Sequence, residues 1–157
     1  PFFTFTKNPV MFSEIISVND NVIPSANAIM AENLWTLEHL LEKKEYGAKA
    51  KKMLDVMTSY FNEGRGSDYS QWAQLITKEA FSYKEVVIVG PEAQNTNREI
   101  QQNYLPNVLF QISDKPSELP LLKDRFFKKE TLIYVCEDKV CFRPSKTVID
   151  ALKQIKN

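Results

Sequence analysis

Glu85-Val86-Val87-Ile88-Val89-Gly90 is the stretch that divides this chain. Consecutive β-branched residues closed by Gly90-Pro91 predict a strand buried on both faces, and such strands belong to parallel sheets covered by helices. Downstream, Thr96 to Tyr104 predicts a short helix and Asn107-Val108-Leu109-Phe110-Gln111-Ile112 a second strand, which together complete a βαβ unit. A proline-containing linker, Lys115 to Pro120, leads to a helical turn near Leu121-Leu122. Strands over Thr131–Cys136 and Lys139–Arg143 follow, and a last helix runs from Ser145, its expected N-cap, to Ile155.

Upstream of Ser82 the pattern is helical. Pro24-Ser25 is a helix entrance with Ser25 as N-cap, and Ile29, Leu34, Leu37, Leu40 and Leu41 form the expected apolar stripe with Trp35 on its flank. Glu42-Lys43-Lys44-Glu45 turns the chain into a second helix, whose broad face runs from Tyr46 through Ala50, Met53, Leu54 and Met57 to Phe61. Gly64-Arg65-Gly66-Ser67 breaks the pattern. Asp68 with Gln71 reads as a capping box opening a third helix on Tyr69, Trp72, Ala73, Ile76 and Ala80. Faces this wide bury only part of their stripe against each other, so the helices call for further helical neighbours. Residues 1–23 predict an extended segment and a loop. The start at Pro1-Phe2-Phe3, without Met, reads as a cut in a longer protein rather than as a catalytic N-terminal proline.

Composition narrows the function classes. The chain has 157 residues, 20 basic and 20 acidic, and 43% hydrophobic residues, as in an ordinary globular domain. Zero net charge argues against a nucleic-acid or anionic-membrane surface, which needs a basic excess. No apolar run approaches the roughly 20 residues that span a bilayer. One histidine, His39, and two cysteines exclude a multi-His zinc site and a multi-bridge disulfide scaffold. No metal and no cofactor is expected. Gly90-Pro91 lacks the further glycines of a phosphate-binding turn, and Pro91 removes an amide donor. His39 reads as a helix-packing or solvated residue rather than a base.

Two groups of residues carry candidate chemistry. Asp20, Ser25 and Asn27 place an acid, a hydroxyl and an amide at the mouth of an apolar helix. Capping accounts for Ser25, but Asn27 is a poor helix former, so the three are read as pocket residues for a sugar-like polyol. If the site is catalytic, Asp20 is its general acid or base. Cys136 and Cys141 bracket Glu137-Asp138-Lys139-Val140. A tight turn on Asp138-Lys139 makes them a directly opposed, non-hydrogen-bonded pair with Cα atoms about 4.5 Å apart, the short edge of disulfide range. The pair is read as reduced thiols packed as small apolar residues, because no cation is fixed beside either in sequence. A reducible bridge suited to redox sensing is the alternative.

Asp20-Asn21-Val22-Ile23-Pro24-Ser25-Ala26-Asn27-Ala28 and the Leu-rich helix after it resemble the late barrel segment of the spermatogenesis-associated protein 20-like, thioredoxin domain-containing family. Glu85 to Gly90, Leu105-Pro106-Asn107, and Tyr134-Val135-Cys136 with Cys141 and Pro144 are similar to that family's C-terminal pattern, in order. The family's Pro-Ser-Gly-Asn stands here as Pro-Ser-Ala-Asn, and a neutral stretch, Ile15 to Asn19, replaces charged residues before Asp20. The resemblance implies a parent with an N-terminal thioredoxin-like domain and an (α/α) toroid similar to N-acylglucosamine 2-epimerases and six-hairpin glycosidases. The expected fold is therefore α+β. Residues 1–81 would be helical hairpins from the end of the toroid, and 82–157 a small α/β piece with a βαβ unit, a β-hairpin and a terminal helix. Expected partners are the rest of the toroid, the thioredoxin-like domain and a sugar-like small molecule. No nucleic acid or membrane is expected, and the location is expected to be cytoplasmic. The three functional readings are a sugar-binding toroid mouth, a non-catalytic closure of the ring, and a redox module built on Cys136 and Cys141.

Overall fold

The computed structural model describes residues 1–3, 16–62, 66–81 and 83–156. Among them are five α-helices, a 3₁₀ turn and a four-stranded mixed sheet, an α+β composition. The chain separates into two compact units, Pro1–Ala80 and Phe81–Asn157. No helix among the described residues is long and apolar enough to cross a membrane. The strand-like alternation expected near the start lies mostly outside the described residues, as do Gly64-Arg65 and Ser82.

The first unit is a helical hairpin with a third helix against it: α1 (Ala26–Leu41), α2 (Lys44–Asn62) and α3 (Ser70–Ala80), the last entered through the 3₁₀ turn Gly66–Tyr69. Ser25 caps α1 as expected, its Oγ accepting from Ala28 N at 3.2 Å. The buried face of α1 keeps Leu34 and the flanking Trp35 of the expected stripe, with Leu40 and Leu41 half-buried, but not all of it. Ala28, Ala31, Leu34 and Trp35 are buried, whereas Ile29 and Leu37 remain 39% and 37% exposed. Small residues decide this: the Ala28–Ala31 side of α1 and Ala50 of α2 allow close backbone approach, and Met53, Leu54 and Met57 fill the space beyond them. Met53, Met57, Trp72 and Leu75 form the deepest layer, with Tyr60 and Phe61 meeting the Tyr69 ring edge-on at 5.5 and 5.9 Å. Leu75, outside the expected stripe of α3, is buried, and Ala80, inside it, is exposed.

The second unit has strand order β2-β1-β3-β4, with β1 (Lys84–Val89), β2 (Val108–Ser113), β3 (Leu132–Glu137) and β4 (Val140–Cys141). β1 and β2 are parallel, joined by α4 (Ala93–Ile100), and β3 runs antiparallel to β1. The helix begins three residues before the expected Thr96. Gly90 at φ +135° turns the chain against Glu130 and Thr131, where an added Cβ would lie 2.4 Å from the Glu130 carbonyl oxygen. Pro91 then starts the first turn, closed by Ala93 N donating to Gly90 O.

Ser145 is not the cap of the last helix. It extends the pairing with β3, exchanging backbone hydrogen bonds with Ile133 at 2.8 and 2.9 Å. The helix α5 (Val148–Lys156) starts later and is capped by Thr147, whose Oγ1 accepts from Asp150 N.

Alternation along the strands gives the sheet two unlike faces. Val86, Ile88, Phe110, Ile112, Ile133 and Val135 pack on α4 and α5. Val87, Val89, Leu132 and Tyr134 face the other way, onto Leu121 and Leu122 in the β2–β3 connection. That second face also carries Glu85, Gln111 and Cys136, all buried.

Candidate functional site

Asp20, Ser25 and Asn27 do come together, but around the chain's own backbone. Asp20 Oδ1 accepts from Ser25 N at 2.8 Å and Oδ2 from Gln71 N at 2.7 Å, so one carboxylate meets the starts of α1 and α3. Asp20 therefore supplies a carboxylate to the head of α3, and the Gln71 side-chain amide donates to Glu32 at 2.6 Å. Ser25 Oγ serves the α1 cap. Asn27, fully buried, accepts from Phe3 N at 2.8 Å and donates to Phe3 O at 3.1 Å and Ser17 O at 2.9 Å. An asparagine that sequence propensity disfavours in a helix is thus accounted for by three hydrogen bonds to two extended segments. These side chains act as a clasp on the N-terminal segment. Trp72 adds to it: Nε1 donates to Val18 O at 2.8 Å, and Phe2 lies 6.0 Å from its ring.

His39 stacks on Trp35 with centroids 4.1 Å apart, and its Nδ1 lies 2.7 Å from Trp35 O. That is a packing role. Among the described residues no group of three His, Cys, Asp or Glu could hold a metal ion. A cleft of about 400 Å³ opens at one end of the sheet, beside Lys84, Tyr104, Asn107 and Glu137. Lys84 is already paired with Glu137 at 2.7 Å there, so its charge is answered within the fold.

The cysteine pair is the site with unabsorbed chemistry. Asp138 and Lys139 both adopt left-handed conformations, φ 48° and 67°, the backbone of a two-residue I′ hairpin without glycine. Glu137 pairs with Val140 and Cys136 with Cys141, the register expected from the sequence. The thiols are not reduced. Cys136 and Cys141 form a disulfide, with Cα atoms 3.8 Å apart. Disulfides usually span Cα separations of about 4.4–6.8 Å.

The missing cation is also present. Arg125, from the β2–β3 connection, places Nη1 3.1 Å from Cys141 Sγ and 3.8 Å from Cys136 Sγ. Its guanidinium lies 4.8 Å from the Tyr134 ring centroid, so cation–π stacking holds it in place. Arg125 stands 11 and 16 residues from the two cysteines, in a segment without periodicity, and no local motif announces it. Cys136 is fully buried and Cys141 partly exposed, so the two sulfurs differ in access. No protein-family profile, curated protein or solved structure significantly matches this chain.

Proposed function

We propose that the C-terminal unit is a thiol–disulfide-responsive module, its Cys136–Cys141 bond opened and closed by exchange with a dithiol partner. The observation that carries this reading is the Arg125 guanidinium seated on both sulfurs. A bridge between residues five apart closes a very small ring. In the chain-entropy picture such a ring is worth about 2 kcal/mol, against about 4.7 kcal/mol for a loop of roughly 100 residues. As a staple the bond does little. As a switch it has a partly exposed cysteine to attack and a cation to hold the product.

In the reducing direction a partner thiolate attacks Cys141 Sγ. The Cys136–Cys141 bond breaks, its electron pair goes to Cys136, and a mixed disulfide remains at Cys141. The partner's second thiolate then attacks its own mixed disulfide sulfur and releases Cys141 as a thiolate beside Arg125. The partner leaves oxidised and this chain leaves reduced by two electrons. The resemblance to thioredoxin domain-containing proteins proposes the partner: a thioredoxin-like domain of the same parent, in a cytoplasmic setting that supplies reductant.

Redox titration of the full chain tests the reading, with thiols trapped by alkylation and counted by mass spectrometry. The pair is expected to equilibrate between about −300 and −180 mV. Arg125→Gln is expected to slow re-oxidation by glutathione disulfide several-fold at pH 7, because less Cys141 is then thiolate. A pair that stays oxidised well below that range, or re-oxidises equally fast without Arg125, sinks the reading.

For the helical unit, the reading we propose is structural closure of a toroid rather than a sugar-binding mouth. Asp20, Ser25 and Asn27 are engaged with backbone. Ile29, Leu37 and Val56 keep apolar surface available for neighbouring helices.

A further inference from the structure

We propose that the free edge of β2 docks a second copy of this chain, by antiparallel β2–β2 pairing that joins the two four-stranded sheets into one. The two edges of the sheet are unlike. On the hairpin side, β3 is covered by the two-residue β4 and then by Ser145, which exchanges backbone bonds with Ile133. On the other side lies β2, six residues long and paired only with β1. Val108-Leu109-Phe110-Gln111-Ile112-Ser113 contains no charge, proline or glycine. Proteins that keep such an edge single usually blunt it with a lysine, a proline or a bulge.

The register says which groups are free. Lys84 N donates to Asn107 O at 3.0 Å and Gly90 N to Ser113 O at 3.1 Å. Bonding residues alternate along a parallel pair, so positions 107, 109, 111 and 113 turn their peptide groups to β1. Val108, Phe110 and Ile112 turn theirs outward, while their side chains pack toward α4 and α5. Among the described residues no backbone group bonds these three outward N–H and three outward C=O groups.

A second β2 satisfies all six. The three residues are evenly spaced about Phe110, so a two-fold axis there sets Phe110 opposite Phe110 of the second copy, and each Val108 opposite the other copy's Ile112. Each opposed pair then exchanges both of its bonds. The arrangement closes on itself as a dimer, the same patch serving both copies. Charge does not oppose it: Asp114 falls opposite Pro106 of the second copy and Lys115 opposite Leu105.

Gln111 points independently to the same occupant. It is 6% exposed, yet neither Nε2 nor Oε1 of its amide has a hydrogen-bond partner among the described residues. Such a group is costly to bury. In the two-fold register it lies diagonal to Gln111 of the second copy, a Cα separation of about 7–8 Å that long side chains bridge. A primary amide carries a donor and an acceptor, so two of them across an axis can bond to each other. The edge is separated from the cysteine hairpin by β1 and β3, and the proposal stands apart from the redox reading.

The test uses the full chain, by sedimentation velocity from micromolar to near-millimolar concentration, with amide hydrogen exchange read by NMR at both ends of that range. A monomer–dimer equilibrium is expected, weak because a strand edge belongs with the small contacts below about 1,200 Å². The Val108, Phe110 and Ile112 amides are expected to exchange several-fold more slowly at the high concentration, whereas Leu109 and Gln111, already bonded to β1, change little. Leu109→Lys keeps its own N–H on β1 but places two like charges diagonally across the axis. It is expected to weaken the dimer tenfold or more at low salt, with the circular dichroism of the fold retained. Should that variant fail to fold, Val108→Pro replaces it, since proline is tolerated at the first residue of an edge strand and removes only an outward N–H; several-fold weakening is expected. A chain that stays monomeric throughout, or that grows past the dimer into larger species, overturns the proposal. So does a dimer whose outward β2 amides exchange as in the monomer, or one that a folded edge variant leaves intact.

Discussion

The two faces of the C-terminal sheet are built from the same strands, by residues that alternate along each backbone, and they differ in what covers them. One meets α4 and α5 through Val86, Ile88, Ile133 and Val135, with Ala151 and Ile155 closing the layer. The other meets an irregular connection and carries Glu85, Gln111 and Cys136 among its aliphatic residues. The difference teaches where stability and chemistry reside. The face sealed by helices is apolar along its middle, and Lys84 and Glu137 at its strand ends satisfy each other. A face covered by a connection can receive an arginine from that connection and keep a sulfur within reach of a partner.

Ile88→Ala is the largest expected break in this comparison. Ile88 is fully buried on the helical face, and its truncation should lower stability by about 2–5 kcal/mol in urea denaturation. Redox behaviour of the cysteine pair should be unchanged while the protein stays folded. Replacing both Cys136 and Cys141 by Ala tests the other face. The loss should be about 2 kcal/mol or less under oxidising conditions, and nearly nil once wild type is reduced. A loss matching that of Ile88→Ala would make the bridge a staple and erase the contrast.

The smallest effect belongs to the cap of α5 beneath the helical face. The Thr147 hydroxyl first, and Lys153 second, hold the exposed Asp150 carboxyl below the ordinary carboxylate range. A depressed folded-state pKa contributes stability above the unfolded value of about 3.9, lost as pH falls through the folded value. Asp150→Asn should therefore lower the melting temperature slightly at pH 7 and not at all near pH 2, measured by thermal scans at the two pH values.

Much of the fold was legible in residues 84–145. The β-branched run, the βαβ order and the hairpin register each follow from local chemistry, and the structure has them. The helical unit was less legible. Ile29 and Leu37 fit a helical stripe as well as Ala28 and Ala31 do, and hydrophobicity alone favours the larger residues. Which stripe is buried depends on how close α2 can come, a property of the pair and not of either helix. The contacts of the candidate site were hidden in the same way. Asp20 reads as a pocket acid because its second contact, Gln71 N, lies 51 residues away. Asn27 looks unexplained in its helix until Phe3 and Ser17 are brought beside it.

By itself the amino-acid order determined the short-range facts: where strands and helices form, which residues turn, and that Cys136 opposes Cys141. These rest on steric preference and on period-two or period-3.6 burial, which act over a few residues. Only the tertiary structure decided that the two sulfurs are joined, that Arg125 covers them, and that Glu85 lies across from the buried one. Those juxtapositions bring together groups 5 to 51 positions apart. Their energies depend on distance and burial in space, and nothing in a local pattern encodes either.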